Sequence, residues 1–258
     1  MRVLFMGRKK VAAQALRQLI DDPAAEVVGV LTDSHLARSV TADLARENGI
    51  PVLDFDETMQ RLESGDLQVD IAFSMLYWRR LKGAYLTAPR HGVINFHPAP
   101  LPEYRGVGGY NLAILEGLDR WAASAHFIDA DIDTGPIVEV LDFPIDPETE
   151  TARSLEALSQ KHLLALFSSV WTRCRTEVET LPRVPNKGGR HLSRKQLEAM
   201  KQVDPETDDV ARKARAFWFP PYDGAWIEIN GERYTLVSRD LLESLADPDA
   251  SSLFTAKA

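Results

Sequence analysis

Short runs of almost unbroken apolar residues recur through the first hundred positions, each followed by a stretch of helical periodicity, and this repeat constrains the fold more than any other feature. Residues 2–6, 27–31, 69–75 and 92–96 are runs of this kind. Between the first two, Val11, Ala12, Ala15, Leu16, Leu19 and Ile20 mark one face of a helix. Residues 40–47 form a second helix, stopped by Asn48-Gly49. Residues 50–55 read as strand-like, with Asp56 as the N-cap of a helix through Leu62. Strands apolar on both sides suit a sheet covered on both faces. Repeated βα units of this kind predict a doubly wound α/β architecture.

The pattern changes after residue 120. Residues 123–128 and 136–145 read as strands flanking a polar turn, and a long helix is expected over 151–176, with Leu155, Leu158, His162, Leu166, Val170 and Trp171 near one face. Residues 180–210 read as a loop followed by a short helix. Asn230-Gly231 between two alternating runs predicts a hairpin. The last dozen residues are expected to be loosely held. These boundaries suggest a catalytic unit over 1–180 and an extension over 181–258.

Several functions are disfavoured at this point. The net charge of −8 and scattered Lys and Arg argue against a nucleic-acid footprint. No run approaches the roughly 18–20 apolar residues of a membrane span. Cys174 is the sole cysteine, so neither an intrachain disulfide nor a thiolate metal cluster forms, and the cytoplasm is the expected setting. After the first strand, Gly7-Arg8-Lys9-Lys10 lacks the further glycines of a dinucleotide fingerprint.

Two segments carry candidate chemistry. Asn95 and His97 lie two apart on an expected strand and so share a face. Pro98, Pro100 and Pro102 then force an irregular turn at the strand's end, where doubly wound sheets bind ligands. An amide beside an imidazole can polarise a carbonyl and manage a proton. The second segment, Asp129-Ala130-Asp131-Ile132-Asp133-Thr134-Gly135, reads as a solvated acidic turn, as a calcium loop lacking the regular spacing, or as the source of a carboxylate, Asp133, for His97. No ligand set for a transition metal accompanies either segment.

Asn95-Phe96-His97-Pro98, followed by Leu101-Pro102, Arg105-Gly106, His126 and Asp133-Thr134-Gly135-Pro136-Ile137-Val138, resembles the signature of the formyltransferases that use 10-formyltetrahydrofolate. Ala99-Pro100 stands where Ser-Leu is commoner. The resemblance covers approximately residues 1–180 and implies a Rossmann-like formyltransferase fold with a small C-terminal helix and β-hairpin extension. It assigns Asn95, His97 and Asp133 as a catalytic trio. A neutral amine attacks the formyl carbon, and Asn95 and a protonated His97 donate to the formyl oxygen, each donor being worth about 2.7–4 kcal/mol when preorganised. Asp133 keeps His97 charged and helps move the amine's proton. The resemblance further implies a folate pocket walled by Tyr77, Trp78, Leu81, Leu101, Ile128, Asp129 and Asp131, with no metal.

The tail separates the branches of that family. It resembles the sugar N-formyltransferases in the stretch from Lys187-Gly188-Gly189-Arg190-His191 through Leu197 and in the aromatic-proline segment from Ala214 to Ala225, which includes Phe217-Trp218-Phe219-Pro220-Pro221-Tyr222. That branch implies a nucleotide-linked amino sugar as partner, with GDP-perosamine as the narrowest expectation, O-antigen assembly as its setting and a homodimer as the assembly. Trp218, Phe219 and Tyr222 are expected to stack on base or sugar, or else to anchor the tail, while Arg8, Lys9, Lys10, Tyr104 and Arg105 meet the rest of the substrate. The alternatives are a dTDP-linked amino sugar, glycinamide ribonucleotide, and a non-catalytic folate or nucleotide sensor.

Overall fold

Along β1 (Arg2–Gly7), Val3 and Phe5 enter one apolar layer while Leu4 and Met6 enter another, as a strand buried on both faces requires. The structure, a computed structural model, describes residues 1–33, 36 and 38–245. The C-terminal residues expected to be loosely held lie outside the described residues. The chain continues through α1 (Lys9–Ile20), β2 (Glu26–Leu31), α2 (Val40–Glu47), α3 (Phe55–Ser64), β3 (Ile71–Met75), α4 (Ala84–Thr87) and β4 (Val93–His97). It then forms β5 (Tyr104–Gly106), α5 (Gly109–Leu115), β6 (Arg120–Phe127), β7 (Ile137–Pro144) and α6 (Ala152–Glu177). The tail adds β8 (Arg190–Leu192), α7 (Arg194–Ala199), α8 (Val210–Ala216), β9 (Trp226–Ile229), β10 (Glu232–Thr235) and α9 (Arg239–Glu243).

The central sheet has the order β2-β1-β3-β4-β6-β7. Its first four strands are parallel, whereas β6 and β7 run antiparallel. The doubly wound α/β expectation holds, with an antiparallel edge added. Chain direction reverses its march across the sheet between β1 and β3, so the carboxyl ends of β1, β3 and β4 frame the switch point at which such folds open a ligand crevice. No helix among the described residues is long and apolar enough to cross a membrane.

Three expectations change in detail. Residues 50–55 do not form a strand: Val52 makes a single bridge to Val30. Asp54, not Asp56, caps α3, its Oδ1 accepting from Asp56 N at 2.8 Å and Glu57 N at 3.1 Å. Phe55 is thereby drawn into the helix, where it stacks on Tyr85. The long helix α6 begins beside Thr151 as expected. However, its core residues toward the sheet are Leu163, Leu166, Phe167, Val170 and Trp171, while Ala152 and Leu155 serve a different cluster near its start. One helix burying two faces along its length blurs the periodicity from which its contacts were read.

The tail is not an appendage hung on the surface. Val203, Ala216, Phe217 and Ala225 are buried together with Trp121 of β6, Phe143 of β7 and Leu155 of α6. Trp218 packs against Ala214 and Leu241. The hairpin expected at Asn230-Gly231 joins β9 to β10.

Phe167 is fully buried against Phe5, Phe73 and Phe96, all three aromatic contacts coming from central strands. Phe167→Ala is therefore expected to cost about 3–5 kcal/mol. For a chain of this size that lowers the thermal midpoint by roughly 6–20 °C. Val237→Ala, on the exposed surface, should leave the midpoint almost unchanged in the same melt.

Candidate active site

β4 brings Asn95 and His97 to the carboxyl end of the sheet, and β6 pairs with it so that Asn95 stands directly opposite His126. Just past His97 the proline-rich turn is pinned from β6. Trp121 Nε1 donates to Pro98 O at 3.0 Å, Ser124 Oγ donates to Ala99 O at 2.7 Å, and Leu101 N donates to Ser124 Oγ at 3.0 Å. Ala99 is buried in the cluster around Trp121, an apolar site in which the extra hydroxyl of a serine would need a partner. The turn sends the chain back as β5, whose Gly106 N donates to Asp133 Oδ2 at 2.9 Å.

The expected trio is assembled. His97 Nδ1 lies 3.5 Å from Asp133 Oδ2, and His97 Nε2 donates to Tyr104 O at 2.9 Å. Asn95 reaches the pair through His126, which had been given no role. His126 Nε2 is 3.2 Å from Asn95 Nδ2 and 3.5 Å from Asp133 Oδ1. Because His126 Nδ1 faces Phe127 O at 2.8 Å, the neutral ring carries its hydrogen there and accepts from Asn95 at Nε2. The second amide hydrogen of Asn95 is left for the cleft that this residue lines. The signal for His126 was its register opposite Asn95.

Electrostatics revise one expectation. Burial pushes the Asp133 carboxyl up, but the facing His97 ring and the hydrogen bond from Gly106 N outweigh it and hold the group well below the usual carboxylate range. Burial lowers His97 below its ordinary value of 6.5, and the opposing pull of Asp133 and the Tyr104 carbonyl only partly offsets it. Burial therefore works against the charged His97 ring that was expected, while the facing Asp133 works for it.

The three carboxylates of the acidic turn separate into three environments. Asp133 is enclosed. Asp129 holds the turn itself, its Oδ1 accepting from Thr134 Oγ1 at 2.6 Å and Asp131 N at 3.2 Å. Asp131 is exposed, 3.8 Å from Arg80. No group of three or more His, Cys, Asp or Glu among the described residues is placed to hold a metal.

A cleft of about 500 Å³ opens beside Asn95, His126 and Asp133, within the roughly 300–1,000 Å³ typical of small-molecule sites. Tyr77, Trp78, Leu81, Ile128, Asp129 and Asp131, the residues expected to wall a folate pocket, all line this cleft. Leu101 does not; it is 4% exposed and belongs to the interior, because the proline-rich turn rolls it inward beneath Ser124. The opposite rim comes from the tail, at His191 to Arg194.

A second hollow adjoins this cleft, sharing Val107 and Arg194 with it, and runs past Lys201, Tyr222 and Asp223 toward Phe219 and Tyr110. Tyr222 is 71% exposed there. Trp218 is not, at 8%; its ring anchors the tail and has no face to offer a ligand. Arg105 bonds the carbonyls of Gly188 and Gly189, and Arg8 pairs with Asp33 at 3.2 Å. Lys9 pairs with Glu156 at the far end of the second hollow, Lys10 is exposed, and Tyr104 Oη donates to Glu116 at 2.6 Å. Of the eight expected substrate contacts, the structure brings only Phe219 and Tyr222 into the hollow.

Residues 1–170 match the family model described as formyl transferase. A methionyl-tRNA formyltransferase from Cutibacterium acnes is 28% identical over 279 aligned positions, spanning 100% of this chain and 84% of that protein. Among solved structures, an N-formyltransferase from Helicobacter canadensis in complex with folinic acid and dTDP-3-aminofucose superimposes with a TM-score of 0.73 at 22% identity, covering 89% of this chain and 84% of that one. A 4-N formyltransferase from Francisella tularensis gives 0.76 at 18% identity, covering 92% and 96% respectively.

The site's electrostatics carry a definite sign. A histidine whose folded pKa is lowered favours the native state while neutral, so its contribution is lost as pH falls from about 6.5 through the lower folded value. Asp133, lowered from 3.8, loses its contribution further down the acid range. The thermal midpoint should therefore decline between pH 6.5 and 5, and His97→Asn should flatten that decline.

Proposed function

Because the chain belongs to the formyl transferase family and is an N-formyltransferase, we propose that it moves the formyl group of 10-formyltetrahydrofolate onto the amine of a nucleotide-linked amino sugar. The observation that carries the acceptor reading is the second hollow. It leads directly away from the catalytic cluster, is built mainly by the tail, and offers Arg194 and Lys201 for a diphosphate and the ring of Tyr222 for a base.

The first cleft suits the folate. Tyr77, Trp78, Leu81 and Ile128 supply flat apolar wall, and the backbone of the acidic turn supplies polar groups at the edge. The bound folate provides the formyl carbonyl. Asn95, its amide fixed by His126, donates its free hydrogen toward the carbonyl oxygen as that oxygen gains charge. Asp133 is the ionised base nearest the cleft; it takes the proton released by the attacking amine and returns it to the departing folate nitrogen as the bond from that nitrogen to the formyl carbon breaks. His97 faces Asp133 through Nδ1, so a proton received by the pair is shared there while Nε2–H remains tied to the Tyr104 carbonyl.

Among amino sugars we place GDP-perosamine first, as a step in O-antigen synthesis. Guanine presents adjacent N–H donors, and Glu198 and Asp223 bring acceptors into the hollow. A dTDP-linked amino sugar needs the same core. The methionyl-tRNA reading rests on several relatives of that name, the one from Cutibacterium acnes among them; against it stand the net charge of −8 and the mixed charges of the hollow. We also propose a cytoplasmic setting, residues 1–180 as the catalytic unit with 181–258 as the acceptor-binding extension, and a homodimer formed over the exposed β10 edge and Tyr234.

The test is turnover of 10-formyltetrahydrofolate against GDP-perosamine, dTDP-linked 4-amino and 3-amino sugars, glycinamide ribonucleotide and methionyl-tRNA. GDP-perosamine is expected to lead; formylation of methionyl-tRNA alone would overturn the acceptor reading. His97→Ala and Asp133→Asn should each lower kcat at least ~100-fold in a folded chain, the scale of losing a preorganised polar group. Tyr222→Ala should raise KM for the sugar nucleotide while leaving KM for the folate unchanged.

A further inference from the structure

Residues 184–192 run from the edge of the sheet to the rim of the cleft and touch the Asp133 turn, the proline-rich turn and β5 on the way. Val184 exchanges backbone hydrogen bonds with Ile137 at the start of β7, at 2.8 and 2.9 Å. Asn186, 7% exposed, donates through Nδ2 to Asp133 O at 3.0 Å and to Gly135 O at 2.9 Å. Arg105 reaches the carbonyls of Gly188 and Gly189. Gly189 lies so close to the proline-rich turn that a Cβ there would stand 1.6 Å from Pro102 O. β8 then pairs with β5, the strand that carries Tyr104 and Gly106.

Three features single out Asn186. Both hydrogens of its amide are spent on carbonyls of one turn, and that turn holds Asp133 at a φ of +53°, a left-handed conformation that a residue with a side chain rarely keeps without restraint. Its Oδ1 is buried with no hydrogen-bond partner among the described residues, a standing cost that an apolar side chain would avoid. Finally, two carbonyl acceptors admit only the nitrogen on that side, so the amide's orientation is determined by its surroundings. An amide retained under these conditions serves geometry better than it serves stability.

We propose that Asn186 is a positioning residue that clasps the Asp133 turn and sets the approach of the Asp133 carboxylate to His97. The inference rests on the reading of Asp133 as the reaction's proton acceptor. Asn186 touches no reacting group; it acts through Asp133, while the β8–β5 pairing and Arg105 steady the Tyr104 carbonyl on the other side of His97. Without the clasp the turn relaxes toward right-handed backbone and the carboxylate withdraws from between His97 and His126.

The test uses the full chain with Asn186→Leu, which removes the donors at similar volume, and Asn186→Ala, which removes them without any risk of overpacking. Turnover is measured with 10-formyltetrahydrofolate and GDP-perosamine, and the histidine rings are titrated by NMR. The titratable groups facing His97 are Asp133 and, across the carboxylate, His126. Because Asp133 favours the charged ring, its withdrawal should move the His97 midpoint further down. At least a tenfold fall in kcat is expected, with both KM values within about twofold and a lower His97 midpoint in both variants. A lower unfolding temperature with unchanged kcat and an unchanged His97 midpoint would mean a structural role only and overturn the proposal. Asp133→Asn, run in parallel, separates the two readings. If it abolishes turnover while the Asn186 variants retain wild-type kcat and His97 titration, the clasp is wrong and the catalytic reading stands. If Asp133→Asn is as fast as wild type, the catalytic reading falls, and the His97 midpoint alone decides whether Asn186 holds the pair.

Discussion

A carboxylate withdrawn from water keeps its charge only where the protein replaces the water around it. Asp133 is enclosed, and the groups that replace its solvent come from three separate places: His97 from the end of β4, His126 from β6, and Gly106 N from β5. Their convergence explains much of the local architecture. β6 must run antiparallel beside β4 for His126 to face Asn95. The chain must also double back immediately after His97, within the reach of one short turn, for Gly106 to return to the same carboxylate. The prolines impose that turn, and Trp121 and Ser124 hold it to the sheet.

The same dependence accounts for what could be read in the sequence and what could not. The parallel strands were legible because burial on both faces leaves unbroken apolar runs, and the hairpin because Asn-Gly has few other uses. Asn95, His97 and Asp133 stood out as polar residues at the sheet's carboxyl end and in the acidic turn, but it was the family resemblance, not the local pattern, that joined them as a trio. Leu101 and Trp218 were misplaced for one shared reason: a large apolar side chain beside prolines looks available for a ligand until tertiary packing turns it inward. Asn186 lay in a stretch that read only as polar loop, and its role depends on a contact 53 positions away along the chain. Local pattern carries no trace of a contact of that range. The downward pull of burial on His97 was similarly beyond reach, since burial is a property of the fold.

Electrostatics also bear on the acceptor. A polyanion such as tRNA is held by many cationic contacts spread over a broad surface. The second hollow instead mixes Arg194 and Lys201 with Glu198 and Asp223. Lys201 is already 2.9 Å from Glu198, and Lys9, Arg8 and Arg105 are each engaged by protein groups. A ligand with one compact anionic group and one face able to stack fits that distribution better than an extended phosphate backbone does.

The tail links these two halves of the problem. Val203, Phe217 and Ala225 share a core with β6 and β7, so removing the tail would open the interior beneath the catalytic strands as well as strip the second hollow. Loss of binding in such a truncation would be ambiguous for that reason, and single substitutions on the exposed rim are the cleaner probe. The segment from Asn186 to Arg194 makes the coupling explicit: one end touches the turn that carries the buried carboxylate, and the other stands where the two hollows meet. On the proposed reading, acceptor recognition and proton management are carried by one continuous piece of backbone. A substitution that reshapes the hollow for a different sugar must leave the Asp133 turn undisturbed, and this confines specificity changes to the residues of α7 and the Phe219–Tyr222 turn that point away from it.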